Sequence, residues 1–385
     1  MSVIGRIEIS EYLARHGALD FAAAAGRDVE RALDRETLTP RDLAALLSPA
    51  ARPHLEAMAR RARETTLRHF GRVIGLYAPL YLANHCVNGC VYCGYRCENR
   101  IPRMKLSPAE AAVEAAALAS SGIRHVLLLT GESPRETPVS YLAECVAAVK
   151  PHFPAVSIEV QPLTEAEYRE LGAAGVGGVT VYQETYDEAL YAELHPAGPK
   201  RDYRNRLETP DRAARARLRM IGIGALLGLG DWRREAAAAA LHARYLEERY
   251  PDVEISLSLP RLQPEIGGYV APHPVDDAAF VQILLAFRLF LPRAGIALST
   301  RERAGFRDRL VGLGVTRLSA GSKTTVGGYA GPTQDSGQFD VADPRTVAEI
   351  CAAITARGCQ PVFKDWEWLA PEEEHERSSG LRNAV

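Results

Sequence analysis

The chain has 385 residues, of which 47% are hydrophobic and 24% charged, so it is long enough to bury one large hydrophobic core. Its formal net charge of −2 argues against binding to nucleic acids or to anionic membranes. The apolar runs are too short to cross a bilayer, and the amino terminus, MSVIGRIEISEYL, lacks the pattern of a secretion signal. We therefore expect a cytoplasmic protein whose cysteines stay reduced.

The first part of the chain, residues 1–71, has charged and apolar residues at helical spacing. Thr39 followed by Pro40 is typical of a helix start, with a capping hydroxyl before a proline at the first helical position. The pattern predicts a helical extension that carries no catalytic group.

The pattern changes over residues 72–324, where short apolar runs alternate with helical segments. The eight runs are LYLAN, HVLLLTG, VSIEVQP, GVTVYQE, MIGIGALLG, EISLSLP, IALSTRE and VTRLSAG. Continuous, β-branched-rich runs of this kind are typical of strands buried on both faces. Alternating strand–helix units in this number predict an α/β fold of the (β/α)₈ barrel type.

Polar residues follow six of these runs, and barrels carry their chemistry on the loops after the strands. Exposure to solvent at the strand ends would explain polar residues after one or two of the runs, but not after six. The groups are four cysteines after the first run, Gly131 and Glu132 after the second, Glu159 and Gln161 after the third, Gln183 and Glu184 after the fourth, Arg301 and Glu302 after the seventh, and Ser319, Ser322 and Lys323 after the eighth.

The last part, residues 325–385, starts with the turn-rich stretch TTVGGYAGPTQDSGQFD and ends in an acidic run. A helical pattern lies between them, over residues 344–357. We expect a short carboxyl-terminal extension that closes the barrel.

The stretch NHCVNGCVYCGYRCE holds Cys86, Cys90, Cys93 and Cys97, four of the seven cysteines of the chain. Disulfides fit a reducing compartment poorly. Structural zinc needs four ligands, usually as two separated pairs, and here only Cys97 could complete the set. Three thiolates on one loop could instead hold three irons of an iron–sulfur cluster and leave the fourth iron open.

The C-x3-C-x2-C spacing with Tyr92 before the last cysteine resembles the signature loop of the radical S-adenosylmethionine (SAM) superfamily. The further motifs LLLTGE, IEVQPL, VYQETY, RLETPDR, IGIGALLGL, LSTRE and VGGY follow in the order found in the tyrosine lyases of bacterial thiazole biosynthesis, the 2-iminoacetate synthases. The resemblance covers about residues 72–368. It implies a radical SAM barrel and a carbon–carbon lyase that cleaves the Cα–Cβ bond of L-tyrosine. The products would be 2-iminoacetate (dehydroglycine), p-cresol, methionine and 5′-deoxyadenosine, and the pathway would be thiamine biosynthesis.

The resemblance also implies roles for individual residues. Cys86, Cys90 and Cys93 would ligate a [4Fe-4S] cluster whose fourth iron binds SAM. The SAM contacts would be Tyr92 near the adenine, Thr130, Gly131 and Glu132 at the amino group, Glu184 at the ribose and Arg206 at the carboxylate, with Glu159 and Gln161 assigned to the same site. Arg301 would grip the substrate carboxylate, with Tyr81 and Ser319 near its amino group. A salt bridge to Glu302 or to a neighbouring loop is the alternative role for Arg301, and Cys97 is expected to be a spectator.

Three alternatives stay open at this point. The tyrosine lyase of [FeFe]-hydrogenase maturation shares the first half-reaction, although this tail offers only Cys351 and Cys359 and no C-x2-C. A tryptophan lyase of the same superfamily would use the same amino-acid grip. A barrel stabilised by zinc and acting as a non-catalytic binding module belongs to a different class. The expected partners are a ferredoxin- or flavodoxin-type electron donor and a thiazole synthase.

Overall fold

A computed structural model describes residues 7–363. The outer parts of both predicted extensions, including the acidic terminal run, lie outside these residues. No helix in the part of the chain that the structure describes is long and apolar enough to cross a membrane.

Four helices precede the first strand. They are α1 (Ile9–His16), α2 (Gly26–Asp34), α3 (Pro40–Leu47) and α4 (Leu55–Phe70), with a short 3₁₀ helix at Pro49–His54 between the last two. The start of α3 is the one predicted: the Thr39 hydroxyl accepts a hydrogen bond from the Asp42 N–H, and the Asp42 carboxylate accepts one from the Thr39 N–H. This capping box satisfies two backbone donors that would otherwise lack partners.

Eight parallel strands follow, each close to one of the predicted runs. They are β1 (Val73–Ala83), β2 (His125–Thr130), β3 (Ala155–Glu159), β4 (Gly178–Glu184), β5 (Met220–Ala225), β6 (Glu254–Leu257), β7 (Gly295–Leu298) and β8 (Arg317–Ser319). Each strand pairs with the next, and β8 pairs with β1, so the sheet closes. The prediction of a (β/α)₈ barrel is confirmed.

Helices connect the strands on the outside of the barrel. They are α5 (Pro108–Ser120), α6 (Val139–Val149), α7 (Glu165–Ala174), α8 (Glu188–Leu194), α9 (Tyr203–Leu207), α10 (Thr209–Arg215), α11 (Trp232–Arg249), α12 (Asp277–Phe290) and α13 (Ala304–Leu310). The amino-terminal helices pack against two of them: α1 and α3 contact α11, and α3 and α4 contact α12. They therefore lie on the outer wall of the barrel.

The carboxyl-terminal segment reaches both ends of the barrel. After α14 (Val347–Ala356), a ninth strand, β9 (Gln360–Val362), pairs with the amino-terminal end of β1. The sequence did not predict β9, since it has three residues and a central proline. Earlier in the segment, Val326 bridges to Tyr81 near the carboxyl end of β1. Part of this segment thus covers the end of the barrel where the site was predicted.

Candidate active site

A cavity opens at the carboxyl ends of the strands and encloses about 960 Å³ of space, including solvent at its mouth. Seven of the predicted site residues line it, and they come from five different strand ends or the loops that follow them. They are Tyr81, Tyr92, Cys93, Glu159, Glu184, Arg301 and Ser319. The other predicted residues are not among those that line the cavity.

The cysteine loop between β1 and α5 has no helix or strand of its own over residues 84–103. One guanidinium organises it: Arg103 donates hydrogen bonds to the carbonyl oxygens of Asn84, Tyr95, Arg96 and Asn99. Loop carbonyls that lack secondary-structure partners need such donors when they are partly buried. The sequence analysis did not single out Arg103.

Three of the four thiols on this loop influence one another electrostatically. Burial, followed by the negative charges of Cys93 and Glu132, raises the pKa of the Cys86 thiol to about 11. Burial also raises the pKa of Cys90, and Cys93 and Cys86 contribute to the rise. Cys97 is exposed, and the pKa of its thiol is raised by partial burial and by Glu98. The geometry therefore groups Cys86, Cys90 and Cys93 and leaves Cys97 apart.

The three thiols are of the type that ligates an iron–sulfur cluster. Among residues 7–363, no three His, Cys, Asp or Glu side chains lie close enough together to hold one metal ion. A cubane cluster requires three thiolates that each bind a different iron, so its ligands surround the cluster rather than converge on one point. Thiols must lose their protons to bind iron.

Gly131, at the end of β2, lies directly against the cysteine loop. A Cβ atom at this position would be 2.3 Å from the His85 carbonyl oxygen and 3.2 Å from the Cβ of Cys86. The Gly131 N–H donates to the Ala83 carbonyl oxygen at 2.8 Å. Only glycine permits this approach, so the residue holds the loop in register with the barrel.

We expect Gly131→Ala to displace the cysteine loop, because backbone atoms cannot yield to the added methyl group. Unfolding free energy should fall by about 1–3 kcal/mol, and iron uptake should fall with it. Gly305→Ala is the matched control, since a Cβ there has no neighbour within 4 Å. Denaturation curves and iron analysis of both variants test this, and equal iron uptake by Gly131→Ala and wild type would contradict it.

A buried network of charges lies beside the cysteine loop. The Arg206 guanidinium donates to a Glu132 carboxylate oxygen at 2.7 Å and lies 3.7 Å from Glu184. Lys200 Nζ donates to Glu184 at 2.7 Å, and Asn88 Nδ2 donates to Glu132 at 2.8 Å. Glu132 and Arg206, expected to bind the amino and carboxylate groups of SAM, are thus paired with each other.

The two carboxylates of this network stay ionised. Burial alone would raise their pKa values, but Arg206 and Lys200 outweigh it and hold the pKa of Glu132 below its usual value. Lys200, followed by Arg206, does the same for the pKa of Glu184. With two positive and two negative side chains the network is balanced, and its carboxylates can accept hydrogen bonds from a cationic ligand.

Glu184 has an unusual backbone conformation, with φ at +69°, next to an irregularity in the pairing of β4 with β5. Positive φ is uncommon for a non-glycine residue and is found disproportionately at functional sites. Nearby, the Thr130 hydroxyl is buried without a partner among the described atoms. Gln161 donates to the Thr137 carbonyl oxygen, while its own Oε1 has no partner there. These unpaired polar atoms fit a site that is completed by a polar ligand.

Tyr92 is held in one orientation by a histidine that the sequence analysis did not identify. His195 Nδ1 lies 2.7 Å from the Tyr191 carbonyl oxygen, so Nδ1 carries the proton. Nε2 therefore accepts the hydrogen bond from the Tyr92 hydroxyl at 2.7 Å. Burial, and then the charge of Lys200, lowers the pKa of His195 to about 3, so the ring stays neutral.

The residues predicted for the substrate line the same cavity. The Arg301 guanidinium lies 3.4 Å from the centre of the Phe339 ring. Ser319 Oγ accepts a hydrogen bond from the Thr300 N–H at 3.0 Å, which ties the ends of β7 and β8 together. The Glu302 carboxylate, named as an alternative partner of Arg301, accepts hydrogen bonds from Arg261. The guanidinium at the cavity wall can therefore bind a carboxylate.

Glu159 lies between the two groups of residues on the cavity wall. Burial, followed by the negative charge of Glu184, raises the pKa of its carboxyl to about 7. Below that pH the group is neutral, and above it the cavity gains one negative charge. A cation near Glu159 would favour the ionised form.

Four residues of the site were not predicted from the sequence, because none of them lies directly at the end of a barrel strand. Lys200 and His195 lie between α8 and α9, and Gln338 and Phe339 lie in the turn-rich segment before α14. Roles were predicted only for residues at strand ends and in the RLETPDR motif. A buried histidine in a polar loop was the available signal for His195, but its partner could not be read from the chain.

Comparison with known proteins agrees with these features. Residues 80–241 match the Radical SAM superfamily, and residues 258–360 match the Biotin and Thiamin Synthesis associated domain. The chain is 46% identical over 341 residues to 2-iminoacetate synthase from Escherichia coli (strain K12), covering 88% of this chain and 90% of that protein. It is 43% identical over 344 residues to 2-iminoacetate synthase from Salmonella typhimurium, covering 89% and 91%.

A solved structure with the same fold is the FeFe-hydrogenase maturase HydG from Carboxydothermus hydrogenoformans. The TM-score is 0.83 at 32% sequence identity, and the match covers 92% of this chain and 83% of that one.

Proposed function

Because the chain belongs to the 2-iminoacetate synthases of the radical SAM superfamily, we propose that it cleaves the Cα–Cβ bond of L-tyrosine to give 2-iminoacetate and p-cresol. The observation that carries the proposal is the composition of one cavity wall. Cys93 and Glu184, on the cofactor side, face the same space as Arg301 and Ser319, on the substrate side. An amino acid can thus be held next to a cofactor bound at the cysteine loop.

We assign the [4Fe-4S] cluster of this superfamily to Cys86, Cys90 and Cys93. Cys90 is buried, Cys86 and Cys93 are half-buried and Cys93 lines the cavity, whereas Cys97 is exposed and interacts with Glu98. The three-ligand arrangement leaves one iron open to SAM. Tyr92, fixed by His195, would lie against the adenine.

The charge network would bind the polar groups of SAM. Glu132, with Thr130 and Gly131 beside it, would accept hydrogen bonds from the amino group, and Glu184 would accept those of the ribose. The Arg206 amino group that lies 3.7 Å from Glu184 would turn to the SAM carboxylate. Arg–carboxylate hydrogen bonds are short and directional, so this contact would also set the orientation. Glu159 and Gln161 would complete this side of the site.

The substrate carboxylate would bind Arg301, and Tyr81 and Ser319 would lie near its amino group. When bound, the cluster and SAM together supply a deoxyadenosyl radical that can abstract a hydrogen atom. The residues of this chain fix the distance and direction of that abstraction and exclude water from it. The aromatic and aliphatic side chains of Tyr77, Tyr182 and Leu127 line another part of the cavity and are suited to a phenol ring.

The hydrogenase-maturation activity is less well supported. Cys351 lies on α14, and Cys359 precedes β9, which pairs with the amino-terminal end of β1. Cys359 therefore lies near the end of the barrel opposite to the site, and neither cysteine lines the cavity. Their separation from the cavity gives no basis for a second metal centre that would act on its product.

We place the reaction in the cytoplasm, because free thiols that must bind iron require a reducing compartment. A ferredoxin- or flavodoxin-type protein would supply the electron. The product dehydroglycine is an unstable imine, and we propose that a thiazole synthase receives it directly.

The test is turnover by the full-length protein, purified without oxygen, reconstituted with iron and sulfide, and reduced in the presence of SAM and tyrosine. We expect 5′-deoxyadenosine and p-cresol to appear together by mass spectrometry. Indole-derived products from tryptophan, with no p-cresol from tyrosine, would overturn tyrosine as the substrate. A colourless protein with stoichiometric zinc would overturn the cluster assignment.

A further inference from the structure

The side chain of Gln338 connects the two halves of the site. Its Oε1 accepts a hydrogen bond from the Tyr81 hydroxyl at 2.8 Å, and its Nε2 donates to Cys93 Sγ at 3.7 Å. Tyr81 is a proposed substrate contact and Cys93 a proposed cluster ligand. A single neutral amide therefore joins the substrate pocket to a cluster sulfur.

The backbone around Gln338 holds this amide in place. The Gln338 N–H donates to the Thr324 carbonyl oxygen at 3.0 Å. Gly337 has φ at +84°, and a Cβ there would lie 2.7 Å from the Thr324 hydroxyl. From the opposite side, a Cβ on Gly94 would lie 2.6 Å from the Gln338 carbonyl oxygen. Two glycines thus let the segment approach the cysteine loop closely, which leaves the side chain little freedom.

The chemistry of the partners determines which end of the amide faces the sulfur. A cysteine that ligates iron is a thiolate, which only accepts hydrogen bonds. The Nε2 end is the donor, so it satisfies the thiolate, while Oε1 accepts from Tyr81. The reverse orientation would place Oε1 against the sulfur, with two acceptors facing each other. The thiolate therefore favours this orientation, and the Tyr81 hydroxyl, which can donate or accept, completes it by donating to Oε1.

Phe339, the next residue along the chain, also contacts the site. The centre of its ring lies 3.4 Å from the Arg301 guanidinium. The same stretch of backbone therefore sets the position of the proposed carboxylate grip and of the amide at the sulfur.

We propose that Gln338 raises the reduction potential of the cluster through its N–H···S hydrogen bond, with Tyr81 as the residue that positions the amide. The inference rests on the proposed function, since it assumes a cluster bound at Cys93. A hydrogen bond to a cluster sulfur stabilises the reduced form, which carries more negative charge. Gln338 is a positioning and tuning residue, and it forms no bond to the substrate.

The experiment is a redox titration of the reconstituted full-length protein, without SAM or tyrosine, followed by the electron paramagnetic resonance signal of the reduced cluster. We expect Gln338→Leu to shift the midpoint potential to a more negative value. Tyr81→Phe should shift it in the same direction but less, because the amide remains and loses only its anchor. The double variant should match Gln338→Leu, since both changes act through one hydrogen bond.

Gln263→Leu is the matched control, because Gln263 also lines the cavity and its potential should equal that of wild type. A wild-type potential in Gln338→Leu would overturn the proposal, as would additive shifts in the double variant. If Gln338→Leu does not take up a cluster, Gln338→Met decides. Methionine is close to glutamine in length, carries no charge and offers the sulfur no donor, so the potential of this variant must also fall, and an unchanged value would overturn the proposal.

Failure of the proposed function gives a different result. A wild-type protein that binds no cluster, or that binds one and forms no p-cresol, contradicts the function. The potential shift is measured without turnover, so it can be present or absent independently of the substrate assignment.

Discussion

Cys90→Ala is expected to remove the cluster and, with it, all formation of 5′-deoxyadenosine and p-cresol. Cys90 is 5% exposed and packs with Tyr92, Leu194, Leu226 and Leu229. Alanine preserves most of this apolar packing, so the barrel should still fold. The loss is specific, because two remaining thiolates cannot hold three irons of a cubane. Iron and sulfide analysis and the visible absorption of the reconstituted protein measure it.

Cys97→Ala is the control for this prediction. Cys97 lies on the same loop, but its side chain is exposed and its backbone N–H, which donates to the Asn88 carbonyl oxygen, is kept in the variant. Iron content and product formation should equal those of wild type. Loss of the cluster in Cys97→Ala, together with its retention in Cys90→Ala, would show that the ligand assignment is wrong.

Arg301→Gln is expected to give the second largest effect. Truncating one partner of a buried, hydrogen-bonded charge pair costs about 2–5 kcal/mol, which corresponds to about a 30-fold or greater fall in kcat/KM for tyrosine. The cluster should stay intact, since Arg301 contacts Phe339 and no cysteine in the described contacts. The ratio of 5′-deoxyadenosine to p-cresol should rise, because SAM cleavage would continue without a correctly held substrate.

Arg303→Gln provides the matched substitution two residues away. The Arg303 side chain is 65% exposed and pairs with Asp277 at the surface. Exposed ion pairs contribute little, so kcat/KM should change by less than about twofold. A wild-type kcat/KM in Arg301→Gln would show that another group binds the substrate carboxylate.

The barrel could be predicted because its strands are chemically uniform. Runs such as HVLLLTG are apolar on both faces, and a parallel sheet covered by helices is the structure that buries both. The strand-end rule then placed Glu159, Glu184, Arg301 and Ser319 at one face of the barrel, where the structure brings them to one cavity. Both inferences depend only on local pattern and on the general geometry of barrels.

The partners of these residues could not be predicted in the same way. Lys200 and His195 reach the site from a loop whose path depends on packing, and the pairing of Arg206 with Glu132 joins residues 74 positions apart. From sequence, the polar, turn-rich segment before α14 was expected only to close the barrel. Gln338 and Phe339 reach the site because the glycines of that segment permit close backbone contacts. Such contacts depend on the tertiary structure and not on the local sequence.

The contacts of this segment with the cysteine loop have a consequence for how the enzyme is made. Asp335 accepts hydrogen bonds from Asn84, 251 positions earlier in the chain, and from Tyr95, 240 positions earlier. A ribosome synthesises the cysteines early and the segment that encloses them late. A nascent chain would therefore display its thiols on an incomplete pocket until this segment has left the ribosome.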